Sequence, residues 1–313
     1  SKETFVLVCN VLLTFAAGTV LLGTLYPLLI DALGMGKISV GPPYFNSVFV
    51  PIVLVLFGFM GFGPIIRWKK SKAGELKRQL LVPAIVASVV GLATPFIAGD
   101  ELNLWVVFGI GAATWVALAP FRAAYNILTD KEGKFTLNKI GRSEMGMLFA
   151  HMGIAVSIVG ATMVSNYSIE KSVRMGPGIS EELAGYTFNY IETKNVVGPN
   201  YTAQQGQIEV YQDDEFVTLL RPDRRQYNVR TMDMTEAGID WGVFRDLYVT
   251  MGDPLSMTQF AVRLNYKPFV RWIWIGSIFM MIGGFLAASD KRYRVKQTKT
   301  VKDETKEAKL ATA

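Results

Sequence analysis

The chain has 313 residues and a single histidine, His151, set in the apolar run Gly146-Met-Leu-Phe-Ala-His-Met-Gly-Ile-Ala-Val-Ser-Ile-Val-Gly160. Ionisable side chains at membrane depth are costly and mark function by default. A neutral imidazole is also the commonest metal ligand and a standard axial ligand of haem iron. Gly146, Ala150, Gly153, Ser157 and Gly160 recur at helical spacing around it, forming a small-residue stripe that lets another helix or a flat ligand approach the backbone. His151 follows Ala150 by one residue and projects from the edge of that stripe, about 100° round the helix. An interhelical hydrogen bond without chemistry stays open as the alternative.

One imidazole cannot complete a six-coordinate haem iron, so a second axial ligand would come from another segment or chain. Met145, Met147, Met152, Met280 and Met281 read as lipid-facing filler rather than as that ligand. The chain shows no phosphate-binding glycine loop, no Cys-x-x-Cys and no Ser/His/Asp set, which leaves phosphoryl transfer, thiol exchange and hydrolysis unsupported. The lone Cys9 has no partner for an internal disulfide. No residue is assigned a catalytic role.

These residues must be positioned by membrane helices. Half of the chain is hydrophobic and 12% aromatic. Apolar stretches near Phe5 to Ile30, Val48 to Ile66, Leu80 to Ala98, Leu104 to Leu118, Met145 to Val164 and Phe269 to Ala288 approach the roughly 20 residues a bilayer core demands. The fourth is the weakest, because Pro120 follows its apolar part. The expected fold is a polytopic α-helical membrane protein of about six transmembrane helices, with an outer, periplasmic β-rich domain inserted before the last helix. Residues 1–165 form a five-helix bundle, 166–267 the β-rich domain, 268–289 the final helix and 290–313 a basic tail.

Basic residues set the orientation, since cytoplasmic loops hold their excess. They gather between Arg67 and Gln79, between Arg122 and Glu144, and after Ser289, which together contain 19 of the 32 Lys and Arg. Both ends of this segment are therefore expected in the cytoplasm. The net charge of +6 reflects topology and anionic lipid, with no nucleic-acid partner implied.

In the outer segment, β-patterned runs occur at Tyr186 to Glu192, Gln207 to Tyr211, Phe216 to Leu220, Leu247 to Met251 and Phe260 to Leu264, with Gln212-Asp-Asp-Glu215 as a hairpin connection. Arg221-Pro-Asp-Arg-Arg225 reads as a turn with solvated charges in preference to a grip on a propionate or acidic partner. Gly41, Pro42, Pro43, Tyr44 and Asn46 form an outer-face loop. It is either a rigid turn fixed by the prolines or a lid or floor near a ligand entrance.

Several runs resemble the C-terminal half of the cytochrome c maturation protein F (CcmF) family, the membrane haem lyase component of the bacterial system I pathway. They are Leu21-Leu-Gly-Thr-Leu-Tyr-Pro-Leu28, Ile38-Ser-Val-Gly-Pro-Pro-Tyr-Phe-Asn46, Ala150-His-Met-Gly153, Arg221-Pro-Asp-Arg-Arg225, Met234-Thr-Glu-Ala237, Phe244-Arg-Asp-Leu-Tyr248 and Lys267-Pro-Phe-Val-Arg-Trp-Ile-Trp274. The resemblance implies a bacterial inner-membrane protein that supports attachment of haem to the Cys-x-x-Cys-His motif of apocytochrome c. It also implies a resident b-type haem, with His151 matching the more C-terminal of two axial histidines. Implied partners are the haem chaperone, apocytochrome c, and its presenting and thioreduction subunits. The family's tryptophan-rich haem segment and its other histidines belong to the N-terminal half, so a second chain or the rest of the protein must supply them. Two other functions compete: a transporter of haem or another amphiphile, for which no inverted repeat is evident, and a non-catalytic platform acting through the outer domain.

Overall fold

A computed structural model describes residues 2–66, 73–99, 101–129, 140–229 and 233–290. Six of its helices are long and apolar enough to cross a membrane. They are α1 (Lys2–Ala32), α2 (Pro42–Phe62), α3 (Ala73–Ile97), α4 (Leu104–Leu128), α5 (Arg142–Tyr167) and α6 (Val270–Ala288). Between the last two lie ten strands. The protein is thus a multi-pass membrane protein with a β domain inserted before the last helix. Arg67, Lys69, Lys70, Lys72, Lys131, Lys134, Lys139 and the tail from Lys291, on which the orientation rests, lie outside the described residues.

The chain divides into two compact units, one reaching to Ile158 and resuming at Ile275, the other running from Val159 to Trp274. In the first unit, α4 continues through Pro120 to Leu128 rather than stopping at Leu118. Proline inside a helix forfeits one hydrogen bond and strains the preceding turn. Here Val116, Ala119, Pro120, Ala123 and Ala124 are all buried, so packing holds the helix through the break. At its start, Asn103 Oδ1 accepts the Trp105 and Val106 amides at 3.0 and 3.3 Å, satisfying two of the free donors of the first turn.

The expected loop at Gly41 to Asn46 is instead the start of α2. Gly41 is its N-cap, and Pro42 and Pro43 occupy the first turn, where a missing amide donor costs nothing and the fixed φ suits a helix.

In the first unit, α5 and α6 run antiparallel with their backbones in close contact. A methyl group at Gly146 would stand 2.6 Å from the Gly283 carbonyl oxygen, and one at Gly153 would stand 2.7 Å from the Met280 amide nitrogen. The glycines recur every seven residues on both helices. The small stripe thus receives a helix, the arrangement by which backbones associate in lipid. Met280 packs against Gly153 and is not lipid-facing filler.

The second unit is a sandwich of antiparallel strands. One sheet has the order β1 (Ile169–Met175), β10 (Phe260–Pro268), β9 (Arg245–Pro254), β8 (Gly238–Trp241). The other has the order β2 (Ser180–Leu183), β3 (Tyr186–Val197), β4 (Tyr201–Gln212), β6 (Asp223–Tyr227), β7 (Asp233–Glu236), with β5 (Glu215–Leu220) also on β4. Alternate residues supply the core: Phe188 and Tyr190, Ile208 and Val210, Leu247, Val249 and Met251, and Phe260, Val262 and Leu264. Gln212 pairs with Glu215 across Asp213 and Asp214, whose φ angles are +50° and +64°. This is the backbone of a two-residue hairpin turn matching strand twist.

Within this unit, single residues connect helix to strand. Ser168 separates α5 from β1, and Phe269 separates β10 from α6. Ile169 pairs with Tyr266, so the adjacent strands continue from adjacent helices.

Candidate functional site

His151 lies in the middle of α5 and is half-buried. Its Nδ1 is 2.9 Å from the Met147 carbonyl oxygen, one helical turn earlier. A carbonyl oxygen only accepts, so Nδ1 must carry the proton. In the neutral ring this leaves Nε2 with its lone pair available, the form required of a metal-ligating imidazole. Nearby, the Phe149 and Phe279 rings meet edge-on at 6.2 Å. No cluster of three metal-ligating His, Cys, Asp or Glu side chains occurs among the described residues. A lone imidazole with Nε2 available can supply one donor to a metal.

The Gly41 to Asn46 residues are placed elsewhere on the first unit's helices. The Tyr44 hydroxyl donates to the Thr19 carbonyl of α1 at 3.0 Å. Gly23 leaves room for the Tyr44 and Phe45 rings, which would lie 2.7 and 2.9 Å from a methyl group there. This segment pins α2 to α1. Asn46 is exposed. No described contact links these residues to His151.

Asp223 to Arg225 open a strand and do not form a solvated turn. Asp223 opens β6, is only 5% exposed, and accepts from Arg225 Nη2 at 2.8 Å and Gln205 Nε2 at 2.7 Å. The Arg225 guanidinium, held first by Asp223, is even harder to deprotonate than usual. It also lies over the Tyr201 ring at 4.5 Å. The run pairs with β7, Asp223 against Glu236 and Arg225 against Met234. The β6 charges are paired, Asp223 with Arg225 and Arg224 with Asp233 and Asp253, which explains why the strand carries no apolar alternation.

A second cluster was not evident from the sequence, though both of its runs were. Phe244 to Tyr248 and Lys267 to Trp274 converge where β9 meets the start of α6. Arg271 Nε donates to Asp246 Oδ2 at 3.0 Å, and its guanidinium lies 5.4 Å from the centre of the Trp241 ring. Phe244, Phe269 and Trp272 form a ring triad with centroids 5.0 to 6.3 Å apart. Lys267 Nζ stands 5.7 Å from the Tyr248 ring centre. Arg245 donates to Tyr186 Oη at 3.0 Å and also pairs with Asp240. Burial works against the Arg245 charge, but these two partners outweigh it and raise its pKa.

Six spans, a close glycine-packed helix pair carrying the one histidine, and a ten-stranded sandwich inserted in sequence between those two helices define a multi-pass membrane protein with a β domain before its last helix. Residues 166–268 match the family described as the CcmF C-terminal beta-sandwich. The chain is 44% identical over 304 residues to the cytochrome c-type biogenesis protein CcmF of Pseudomonas aeruginosa, covering 97% of this chain and 46% of that protein. It is 40% identical to Escherichia coli CcmF over 295 residues, 94% of this chain and 44% of that one. A solved structure titled Cytochrome c Heme Lyase CcmF shares the fold, with a TM-score of 0.73 at 22% identity over 92% of this chain and 46% of its own. The chain belongs to the CcmF family and corresponds to its C-terminal half. It spans about half the length of the curated relatives it matches.

Proposed function

We propose that this chain is part of a cytochrome c haem lyase, and that His151 is an axial ligand of a b-type haem held in the membrane. The carrying observation is the Nδ1 contact to Met147 at 2.9 Å, which selects the tautomer with a free Nε2. The relatives' names, all cytochrome c-type biogenesis proteins, supply the process. When bound, the haem supplies one-electron exchange. The protein's own share is to fix the imidazole: the Met147 carbonyl orients the ring, and α6 packs along the adjoining glycines and excludes lipid from that face.

The lyase reaction adds the two thiols of a Cys-x-x-Cys-His motif across the vinyl groups of a separate, substrate haem, each S–H adding across one C=C to give a thioether. The remaining half of the protein, on this reading, supplies the second axial histidine and the substrate-haem segment. The haem chaperone, apocytochrome c, and its presenting and thioreduction subunits are the proposed partners. The sandwich faces the periplasm and both ends of this segment face the cytoplasm, with the tail from residue 290 on the inner surface.

The test is the visible spectrum of the chain co-expressed with the N-terminal half of a CcmF relative. A low-spin b-type spectrum lost in His151→Ala is expected. Its retention in that variant would remove the ligand assignment.

A further inference from the structure

We infer that the tip of the β8–β9 hairpin, carrying Trp241, Val243 and Phe244, is inserted into the headgroup layer of the lipid bilayer beside the start of α6. Those three side chains are 72%, 57% and 62% exposed and lie within four consecutive residues, with two aromatic rings among them. Contiguous exposed apolar surface of this kind marks an interaction site.

Its depth follows from its neighbours. α6 has 19 residues, which at 1.5 Å each is about 28 Å and only just crosses a ~30 Å core. Its first turn is therefore at the interface, where tryptophan concentrates because its ring is apolar and its N–H is polar. The hairpin tip is bound to that turn. The Phe269 amide donates to the Phe244 carbonyl at 2.8 Å, and Trp272 Nε1 donates to the Val243 carbonyl at 3.0 Å. The Phe244, Phe269 and Trp272 rings are in contact. The tip thus shares the depth of a helix end already in lipid.

The polar groups are arranged for the same place. The Arg271 charge is paired with Asp246 and lies over the Trp241 ring, a polar and aromatic arrangement suited to the headgroup level. The occupant is the bilayer surface itself, because the patch is hydrogen-bonded to the first turn of a membrane-spanning helix on which Trp274 is also 67% exposed.

The test places an environment-sensitive fluorophore at Val243→Cys in a Cys9→Ser background, with the full chain in phosphatidylcholine/phosphatidylglycerol nanodiscs. The reference is Met257→Cys, whose side chain is fully exposed in the β9–β10 connection at the other end of these strands. Both substitutions fall on exposed side chains. The expected result at position 243 is several-fold weaker quenching by aqueous iodide than at 257, together with strong quenching by lipid spin-labelled near the headgroup. Equal iodide access at both positions overturns the inference. Shielding from iodide without lipid quenching also overturns it, since protein would then cover the tip.

Discussion

Arg271, the second residue of α6, donates through Nε to Asp246 Oδ2 at 3.0 Å, and the Asp246 side chain is 1% exposed. Asp246 also accepts from the Gly242 amide and the Tyr248 hydroxyl, each at 3.2 Å. One carboxylate therefore ties the hairpin turn, strand β9 and the root of the last helix together. Removing it leaves a solvent-screened guanidinium and two hydrogen-bond donors without their acceptor, at a cost of about 1 to 2 kcal/mol. Asp246→Ala is expected to lower the denaturation midpoint of the sandwich markedly, with Arg271→Lys intermediate. Near-wild-type midpoints in both variants would show that the pair contributes nothing.

The glycines of the α5–α6 pair are not equivalent. A side chain at Gly153 meets the backbone and side chain of α6, whereas Gly284 has nothing within 4 Å of an added methyl. Gly153→Leu is expected to separate the helices and lower thermal stability in detergent. Gly284→Ala should be neutral or more stable by roughly 0.5 to 1 kcal/mol, the helical cost of glycine. The opposite order would mean that the packing face is misassigned.

Asp213 and Asp214 hold left-handed backbone at φ of +50° and +64°, which costs an L-residue about 1 to 2 kcal/mol. Asp214→Gly gives the Asp-Gly pair this turn favours. It should raise the denaturant midpoint of the sandwich by an amount equivalent to about 1 kcal/mol. A lower midpoint would contradict the turn geometry.

Three sandwich phenols, Tyr190, Tyr248 and Tyr266, titrate above the usual tyrosine value, chiefly because burial disfavours the phenolate. Their unfolded pKa is about 10, so below that pH the contribution is fully present. It is lost as pH rises through the higher folded values, because the unfolded state releases its protons first. Alkaline titration followed by phenolate absorbance should show a lagging set of tyrosines that ionise together with loss of β-structure. Simple titration of every tyrosine near 10 would contradict it.

The sequence disclosed whatever was written as an apolar period. The six spans are visible because their length and apolar composition match a bilayer core, and five strands because one face of each is buried. β6 was not, because Asp223 and Arg225 satisfy each other inside the sheet and leave no alternation. β1, with Ile169, Glu170 and Ser172 among its residues, is mostly exposed and shows little contrast. The start of α2 was hidden by Pro42 and Pro43, which signal a turn and a helix start equally well. For the site, His151 stood out by type, but its tautomer depends on the Met147 carbonyl, a geometric fact. The Asp246–Arg271 tie joins residues 25 positions apart, which no local pattern records.

The most direct test of the account is imidazole rescue of His151→Gly, co-expressed with the N-terminal half of a CcmF relative and read by low-temperature electron paramagnetic resonance. The account predicts that the wild-type protein gives a low-spin ferric signal, that His151→Gly gives a high-spin or absent signal, and that added imidazole restores the low-spin one. An unchanged low-spin signal in His151→Gly without imidazole would contradict the assignment of His151 as an axial ligand.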